Sequence, residues 1–211
     1  GATAAWHLAC SGAKVKDLYN AQERLAPDND GQIPRLVRIE NDLPKGQHIS
    51  TVTLTIGGND VGFSDIIGDC YFRECLSHPE KNEKDVENLR KPIADALKAI
   101  RVAAPKARVI LVGYPRLFPS QESGNSKCLW LSSRERIRAN TLSAQLEVTQ
   151  SRAARDAGAQ YVSVMNALDG HELCTTDSWV FEVNPAQYGR DQRQGHPLYL
   201  GQRAMATIVQ A

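Results

Sequence analysis

The feature that most constrains this chain is the run RVILVG at residues 108–113, which is almost entirely apolar and is closed by Gly113 and Pro115. A short apolar run bounded by turn residues is typical of a strand buried on both faces, as in a parallel sheet. The segments TVTLTI at 51–56 and QYVSVM at 160–165 predict two further strands. A sheet covered on both faces needs helices between its strands, so the connecting segments decide the fold class.

The connecting segments carry helical patterns. Between the first two strands, apolar residues recur at spacings of three and four and predict an amphipathic helix: Val86, Leu89, Ile93, Leu97 and Ile100. Residues 132–158 predict a long helix that Ser132 and Glu135 begin as a capping box and Gly158 ends. Residues 199–211 predict a last helix. This order predicts one α/β domain over residues 1–211, a three-layer α/β/α sandwich around a mainly parallel sheet.

Ligands of such sheets bind outside the carboxyl ends of the strands. GGND at 57–60 follows the first predicted strand and GYPR at 113–116 follows the second, so functional residues are expected there. The stretch 22–47 is rich in Pro, Gly and Asx and predicts a long surface loop with short elements. The stretch 114–131 is another candidate loop.

The composition excludes several classes of function. Lys and Arg number 25 and Asp and Glu number 24, so a net charge of +1 offers no electrostatic footprint for nucleic acid or an anionic membrane. No apolar run approaches the ~20 residues of a spanning helix. The histidines and acids lack ligand spacing of the H-x-x-x-H kind, so the sequence implies no metal or organic cofactor.

The five cysteines leave two cellular compartments open. Cys70 and Cys75 bracket four residues, which suits a small disulfide loop, whereas Cys128 and Cys174 each lie in a polar stretch. Two bridges and one orphan cysteine would fit an oxidising compartment. Five buried or free thiols in a cytosolic protein are the alternative.

Three short stretches carry candidate chemistry. Asn59, after two glycines, offers a neutral N–H donor suited to an oxyanion, although a plain turn explains GGND equally well. In ACSGA, Ser11 lacks the glycines of a G-x-S-x-G elbow, so Gly12 is of interest as a backbone N–H donor or simply as part of a turn. His196, in a Gly-flanked loop before Pro197, is a candidate general base.

Together these stretches resemble the SGNH (GDSL-type) hydrolases, in particular their secreted actinobacterial lipase and esterase branch. ACSGA resembles the glycine block, LTIGGNDVGF the asparagine block, and the GHP segment the histidine block of the family. CYFRECL is similar to its small disulfide loop, ARVILVGYPRLF to the strand and loop after the first long helix, and GHELC to half of a later bridge. The resemblance covers nearly the whole chain and implies the flavodoxin-like SGNH fold and a secreted protein.

The resemblance also implies roles for individual residues. The Gly12 backbone N–H and the Asn59 side chain would form two arms of an oxyanion hole, and His196 would be the general base. Many family members place an Asp three residues before the base, where this chain has Arg193. The carbonyl of Arg193 or a neighbour is therefore the expected orienter of the imidazole, and Asp191 is the alternative. The implied disulfides are Cys70–Cys75 and Cys128–Cys174.

The family's nucleophile is the serine of a G-D-S motif on its first strand, and GDS occurs nowhere in these 211 residues. We therefore expect an N-terminally truncated catalytic domain, inactive by itself, with Cys10 left without the partner that the missing segment would supply. The expected reaction of the intact protein is hydrolysis of a small-molecule or lipid ester through a serine acyl-enzyme. Alternatives are a related reaction, such as polysaccharide deacetylation or thioester cleavage, and a non-catalytic module that binds a ligand or glycan on the same fold.

Overall fold

The computed structural model of the chain describes residues 4–22, 30–62, 85–120, 128, 131–184 and 193–211. A 3-10 helix, Val15–Leu18, comes first. The other elements, in chain order, are α1 (Gln32–Asp42), β1 (Thr51–Leu54), α2 (Arg90–Ala103), β2 (Arg108–Val112), α3 (Ser133–Ala157), β3 (Gln160–Val162) and α4 (Tyr199–Gln210). A helical turn at 85–88 precedes α2 and is separated from it by Leu89.

The three strands form a parallel sheet in the order β1-β2-β3. Leu54 of β1 pairs with Leu111 of β2, and Leu111 pairs with Tyr161 of β3. The strands therefore end level with one another, and the segments that follow them leave the sheet at one edge. The predicted parallel sheet is confirmed, with each strand one to three residues shorter than the sequence pattern suggested.

Helices cover both faces of the sheet. Because side chains alternate along a strand, β2 sends Val109 and Leu111 to one face and Ile110 and Val112 to the other. The first pair packs in a cluster with buried residues of α1, α2 and α3, among them Leu36, Leu97 and Ala153. The second pair packs with Met205 and Val209 of α4. This arrangement is the predicted α/β/α sandwich.

The ends of α3 follow from its sequence. The Ser132 and Glu135 side chains cap each other's backbone N–H groups, as a capping box requires. Gly158 adopts the left-handed conformation (φ 63°) that a helix stop needs, and its N–H reaches the carbonyls of Ala154 and Arg155. Both signals were readable from the sequence and are confirmed.

The stretch 22–47 differs from the prediction, because α1 occupies eleven of its residues. Ile33 and Leu36 lie three residues apart and are buried on one face of this helix. Pro34 lies in the first turn, where a missing N–H does not break the helix. The Pro- and Gly-rich composition of the stretch concealed this short amphipathic pattern.

Cys128 and Cys174 form a disulfide between segments 46 residues apart, as expected from the family resemblance. Cys10 is a free thiol. Cys70 and Cys75 lie outside the described residues. None of the helices described in the structure is long and apolar enough to cross a membrane.

Candidate active site

The turn after β1, residues 57–62, holds Asn59 at the carboxyl edge of the sheet. Gly57 has a φ of 110°, a conformation that glycine adopts without strain. The Val61 N–H donates to the Gly57 carbonyl at 3.2 Å, and the Gly62 N–H donates to the Asn59 carbonyl at 3.3 Å. The chain therefore turns sharply at the strand end and leaves Asn59 half-buried.

Side-chain bonds join this turn to the loop that contains Gly12. The Asn59 amide donates from Nδ2 to the carbonyl of Ala13 at 3.0 Å. The Val15 N–H donates to both carboxylate oxygens of Asp60, each at 3.1 Å. The structure thus brings the two predicted oxyanion residues to neighbouring positions. An amide NH2 group carries two N–H donors, so the bond to Ala13 leaves the second one for another acceptor.

Asp60 is a residue to which the sequence analysis gave no role. Its half-buried carboxyl ties the Asn59 turn to the buried backbone of Val15. Burial raises its pKa above the ordinary value, and the hydrogen bond from the Val15 N–H and the nearby Lys14 act in the opposite direction. Only its position beside Asn59 in GGND hinted at a part in the site.

Tyr114 supports the same turn from β2. The residue follows Gly113 at the carboxyl end of this strand, and its hydroxyl accepts the Gly58 N–H at 3.1 Å. Burial of the hydroxyl raises the pKa of Tyr114 to about 12, so the group stays protonated at neutral pH. GYPR was expected at the edge where ligands bind, but no sequence pattern predicts a role for the Tyr114 side chain.

The turn that carries His196 is held by backbone bonds to the segment 179–181. The Phe181 N–H donates to the His196 carbonyl at 2.9 Å, and the Gly195 N–H donates to the Phe181 carbonyl at 3.1 Å. The Leu198 N–H donates to the Trp179 carbonyl at 2.7 Å. The imidazole itself is exposed. This ladder fixes the backbone at His196 while leaving its side chain accessible.

Arg193 has two described contacts within this turn. Its carbonyl accepts the backbone N–H of His196 at 3.0 Å. Its guanidinium carbon lies 4.7 Å from the centre of the Phe181 ring, which is a cation–π contact. Asp191, the alternative orienter of the imidazole, lies outside the described residues.

The disulfide anchors the segment that holds His196. Cys174 is buried, and the neighbouring Leu173 N–H donates to the Leu117 carbonyl at 2.8 Å. Further along, the Trp179 N–H donates to the His171 carbonyl at 2.9 Å, and the two rings stack at 3.7 Å. Residues 171–181 therefore connect the disulfide to the His196 turn.

The segment before α4 lies beside residues that follow β2 and β3 along the chain, because Pro197 bridges to Val180, which packs with Phe118 and Leu168. Gly201, in the first turn of α4, fits closely against Leu168 and the Trp179 carbonyl. Leu168 lies six residues beyond the end of β3, so the start of α4 packs against the segment that follows this strand. The side-chain bond described for Asn59 is with the Gly12 loop, whereas the backbone bonds described for His196 are with Phe181 and Arg193.

These features define the chemistry that the edge can support. A fixed neutral amide and nearby backbone N–H groups suit an acceptor that gains negative charge. An accessible imidazole suits proton transfer. Among the side chains that the structure describes, no group of three or more His, Cys, Asp or Glu residues could hold a metal ion.

Comparison with known proteins gives one family. The sequence model of the GDSL-like lipase/acylhydrolase family matches residues 1–204. Lipase 1 of Streptomyces coelicolor is 30% identical over 198 residues, covering 92% of this chain and 64% of that protein. The lipase of Streptomyces rimosus is 31% identical over 179 residues, covering 83% of this chain and 59% of that protein. The chain thus spans about three fifths of the length of these two relatives.

Solved structures agree with the sequence comparison. The crystal structure of phospholipase A1 from Streptomyces albidoflavus superposes with a TM-score of 0.74 at 28% identity, over 95% of this chain and 77% of that one. The extracellular lipase of Streptomyces rimosus superposes with a TM-score of 0.72 at 25% identity, over 94% and 78% of the two chains. The similarity therefore extends over nearly all of this chain.

Proposed function

Because this chain belongs to the GDSL-like lipase/acylhydrolase family, we propose that it forms most of a carboxylic ester hydrolase that works through a serine acyl-enzyme. The observation that carries the proposal is the Asn59 amide, which is tied to the Gly12 loop through one N–H and retains a second. A plain turn needs no such bond between two separate segments. A preorganised neutral donor at a strand end is suited to stabilising an oxyanion.

In the proposed reaction, a serine hydroxyl attacks the ester carbonyl while the imidazole of His196 takes its proton. The Asn59 amide and the Gly12 backbone N–H donate to the oxyanion of the tetrahedral intermediate. His196 then returns the proton to the leaving alcohol, and water repeats the sequence to release the acid. Both transfers need an accessible imidazole, which agrees with the exposed position of His196.

The imidazole needs an acceptor that fixes its tautomer and orientation. We propose a backbone carbonyl for this role, with Arg193 as the first candidate. The Arg193 carbonyl accepts the His196 backbone N–H, and a carbonyl oxygen has a second lone pair for the ring N–H. Asp191 is the alternative, which would make a Ser–His–Asp triad instead of a dyad.

The nucleophile is proposed to lie outside residues 1–211, in a segment that precedes Gly1. The absence of GDS from the sequence and the greater length of the relatives support this proposal. The same segment would supply a disulfide partner for the free thiol of Cys10. By itself the 211-residue chain is then expected to hydrolyse esters poorly or not at all.

The proposed substrate is a small-molecule or lipid ester, and the proposed location is extracellular. The names of the relatives, which include lipases, a phospholipase A1 and an extracellular lipase, support both points. The Cys128–Cys174 disulfide also favours an oxidising compartment. The chemistry requires neither a metal nor an organic cofactor.

A second candidate is a non-catalytic binding module on the same fold, favoured by the absence of the G-D-S serine from the sequence. The two proposals differ in what the gene encodes upstream of Gly1. A strand, a G-D-S motif and one more cysteine there would support the esterase, and their absence would support the binding module.

The test is hydrolysis of p-nitrophenyl esters by the full gene product and by its Asn59→Ala variant. We expect the substitution to lower kcat by about a hundredfold or more, because one oxyanion donor typically contributes about 2.7–4 kcal/mol to transition-state stabilisation. Asn20→Ala is the control, because the exposed Asn20 amide bonds only to its own helical turn in the described contacts. Equal turnover by Asn59→Ala and the wild type would remove Asn59 from the mechanism.

A further inference from the structure

The side chain of Tyr114 determines the position of the residue before Asn59. Its hydroxyl accepts the Gly58 N–H at 3.1 Å, and its ring lies against the Gly58 backbone. A Cβ atom at residue 58 would lie 2.9 Å from the ring carbon that carries the hydroxyl, closer than such contacts allow. The second glycine of GGND is therefore required by Tyr114, and the two residues form one unit.

We propose that Tyr114 is a positioning residue for the Asn59 amide, an inference that rests on the proposed ester hydrolase function. Two anchors define where this amide points. The bond from Nδ2 to the Ala13 carbonyl fixes its far end, and the bond from Gly58 to Tyr114 fixes the backbone from which it projects. With both anchors in place, the second Nδ2 proton has one direction available. Loss of the Tyr114 hydroxyl frees the backbone and spreads that direction over a wider range.

Tyr161 supplies the matched comparison. It lies on the neighbouring strand β3, and its hydroxyl packs against Gly113, where a Cβ atom would lie too close to it. This hydroxyl is also buried, but no hydrogen-bond partner is found for it among the residues that the structure describes. Each tyrosine therefore has a buried hydroxyl that lies against a glycine. Of the two, only the Tyr114 hydroxyl bonds to the turn that carries Asn59.

The kinetic experiment crosses Tyr114→Phe and Tyr161→Phe with Asn59→Ala in the full gene product. For Tyr114→Phe we expect kcat to fall about tenfold with KM within about twofold, because a misplaced donor weakens the transition state and not ground-state binding. In the Asn59→Ala background the same change should lower kcat no further, because Tyr114 acts through Asn59. Tyr161→Phe should leave kcat unchanged. Equal effects of the two tyrosine changes, or an undiminished effect of Tyr114→Phe without Asn59, would overturn the proposal.

A measurement independent of catalysis keeps the two proposals separable. Hydrogen exchange of the Gly58 amide should be slow in the wild type and in Tyr161→Phe, and at least tenfold faster in Tyr114→Phe. Fast exchange of Gly58 in the wild type would refute the hydrogen bond, and with it the inference, even if Tyr114→Phe failed to fold. Slow Gly58 exchange in a wild type that hydrolyses no ester would instead reject the proposed function and leave the bond intact.

Discussion

The turn at Asn59 and the turn at His196 are held in different ways. The Asn59 turn depends on individual side chains, since Asn59, Asp60 and Tyr114 each make a bond to the backbone of another segment. The bonds described between the His196 turn and residues 179–181 join backbone groups, so they do not depend on the identity of the side chains.

The two turns should therefore respond to different kinds of change. A side-chain bond is lost with one substitution, so the donor half should respond to point mutations around residue 59. A backbone ladder survives most point mutations and weakens only when the segment that supports it becomes mobile. For the His196 turn, that segment is the loop anchored by the Cys128–Cys174 disulfide.

The largest effect should come from the imidazole itself. His196→Ala in the full gene product should lower kcat by about 10²–10⁴, the usual contribution of a general base. Because the side chain is exposed and the ladder uses only backbone atoms, the free energy of unfolding should change by less than about 0.5 kcal/mol. The measurement pairs ester hydrolysis with urea unfolding.

The control for this experiment is His48→Ala, which removes another exposed histidine of a loop. This change should affect neither quantity. Activity of the His196→Ala protein close to that of the control would reject His196 as the base.

Removing the disulfide should make the His196 turn more mobile and leave the Asn59 turn unchanged. A Cys128→Ser/Cys174→Ser protein should lose about 2–5 kcal/mol of unfolding free energy, because the bridge joins segments 46 residues apart. Amide exchange should quicken at residues 179–181 and at Gly195, His196 and Leu198 while staying unchanged at Gly58. Equal acceleration at Gly58 would show that the two turns are not independently supported.

Much of the fold was predictable because each strand and cap depends on local residue types. The apolar run before Gly113 and the capping box at Ser132 are examples. Helix α1 was missed because its burial depends on contacts with α2 rather than on composition.

The site was predictable only in part. The positions of Asn59 and His196 follow from neighbouring glycines and a helix start. The roles of Asp60 and Tyr114 depend on segments 45 and 56 residues away along the chain, and no local pattern carries that information. Sequence patterns thus propose candidate side chains at strand ends and helix starts, whereas the bonds that orient those side chains are tertiary.

The Asp60 carboxyl offers a smaller test of the donor half. Asp60→Ala leaves the buried N–H of Val15 without its acceptor and should cost about 1–3 kcal/mol of unfolding free energy. Asp60→Asn retains one oxygen that can accept this bond and should cost less. Asp42→Ala, at the exposed end of α1, is the control and should cost less than about 0.5 kcal/mol. Urea unfolding followed by tryptophan fluorescence gives the three values.

The stability difference between the wild type and Asp60→Asn should also depend on pH. Because burial raises the pKa of Asp60 in the folded protein, the fold favours the protonated carboxyl. The stabilising contribution of the protonated Asp60 carboxyl is therefore complete below the ordinary pKa of about 4. It is lost as the pH rises through the raised pKa of the folded protein. The wild type should lose stability relative to Asp60→Asn over that range. A relative gain with rising pH would mean that the bonds from Val15 outweigh the cost of burial.

The smallest effect should come from a side-chain contact between the His196 turn and the segment that holds it, Arg193 over the Phe181 ring. An exposed cation–π contact contributes about 0.5–1 kcal/mol, so Phe181→Leu should lower kcat by no more than about fivefold. Phe181→Tyr retains the ring and should behave like the wild type. The backbone bonds of residue 181 persist in both variants, which isolates the ring. A hundredfold lower kcat in Phe181→Leu, but not in Phe181→Tyr, would show that a side chain positions the His196 turn, as side chains position the Asn59 turn. The two turns would then not differ in how they are held.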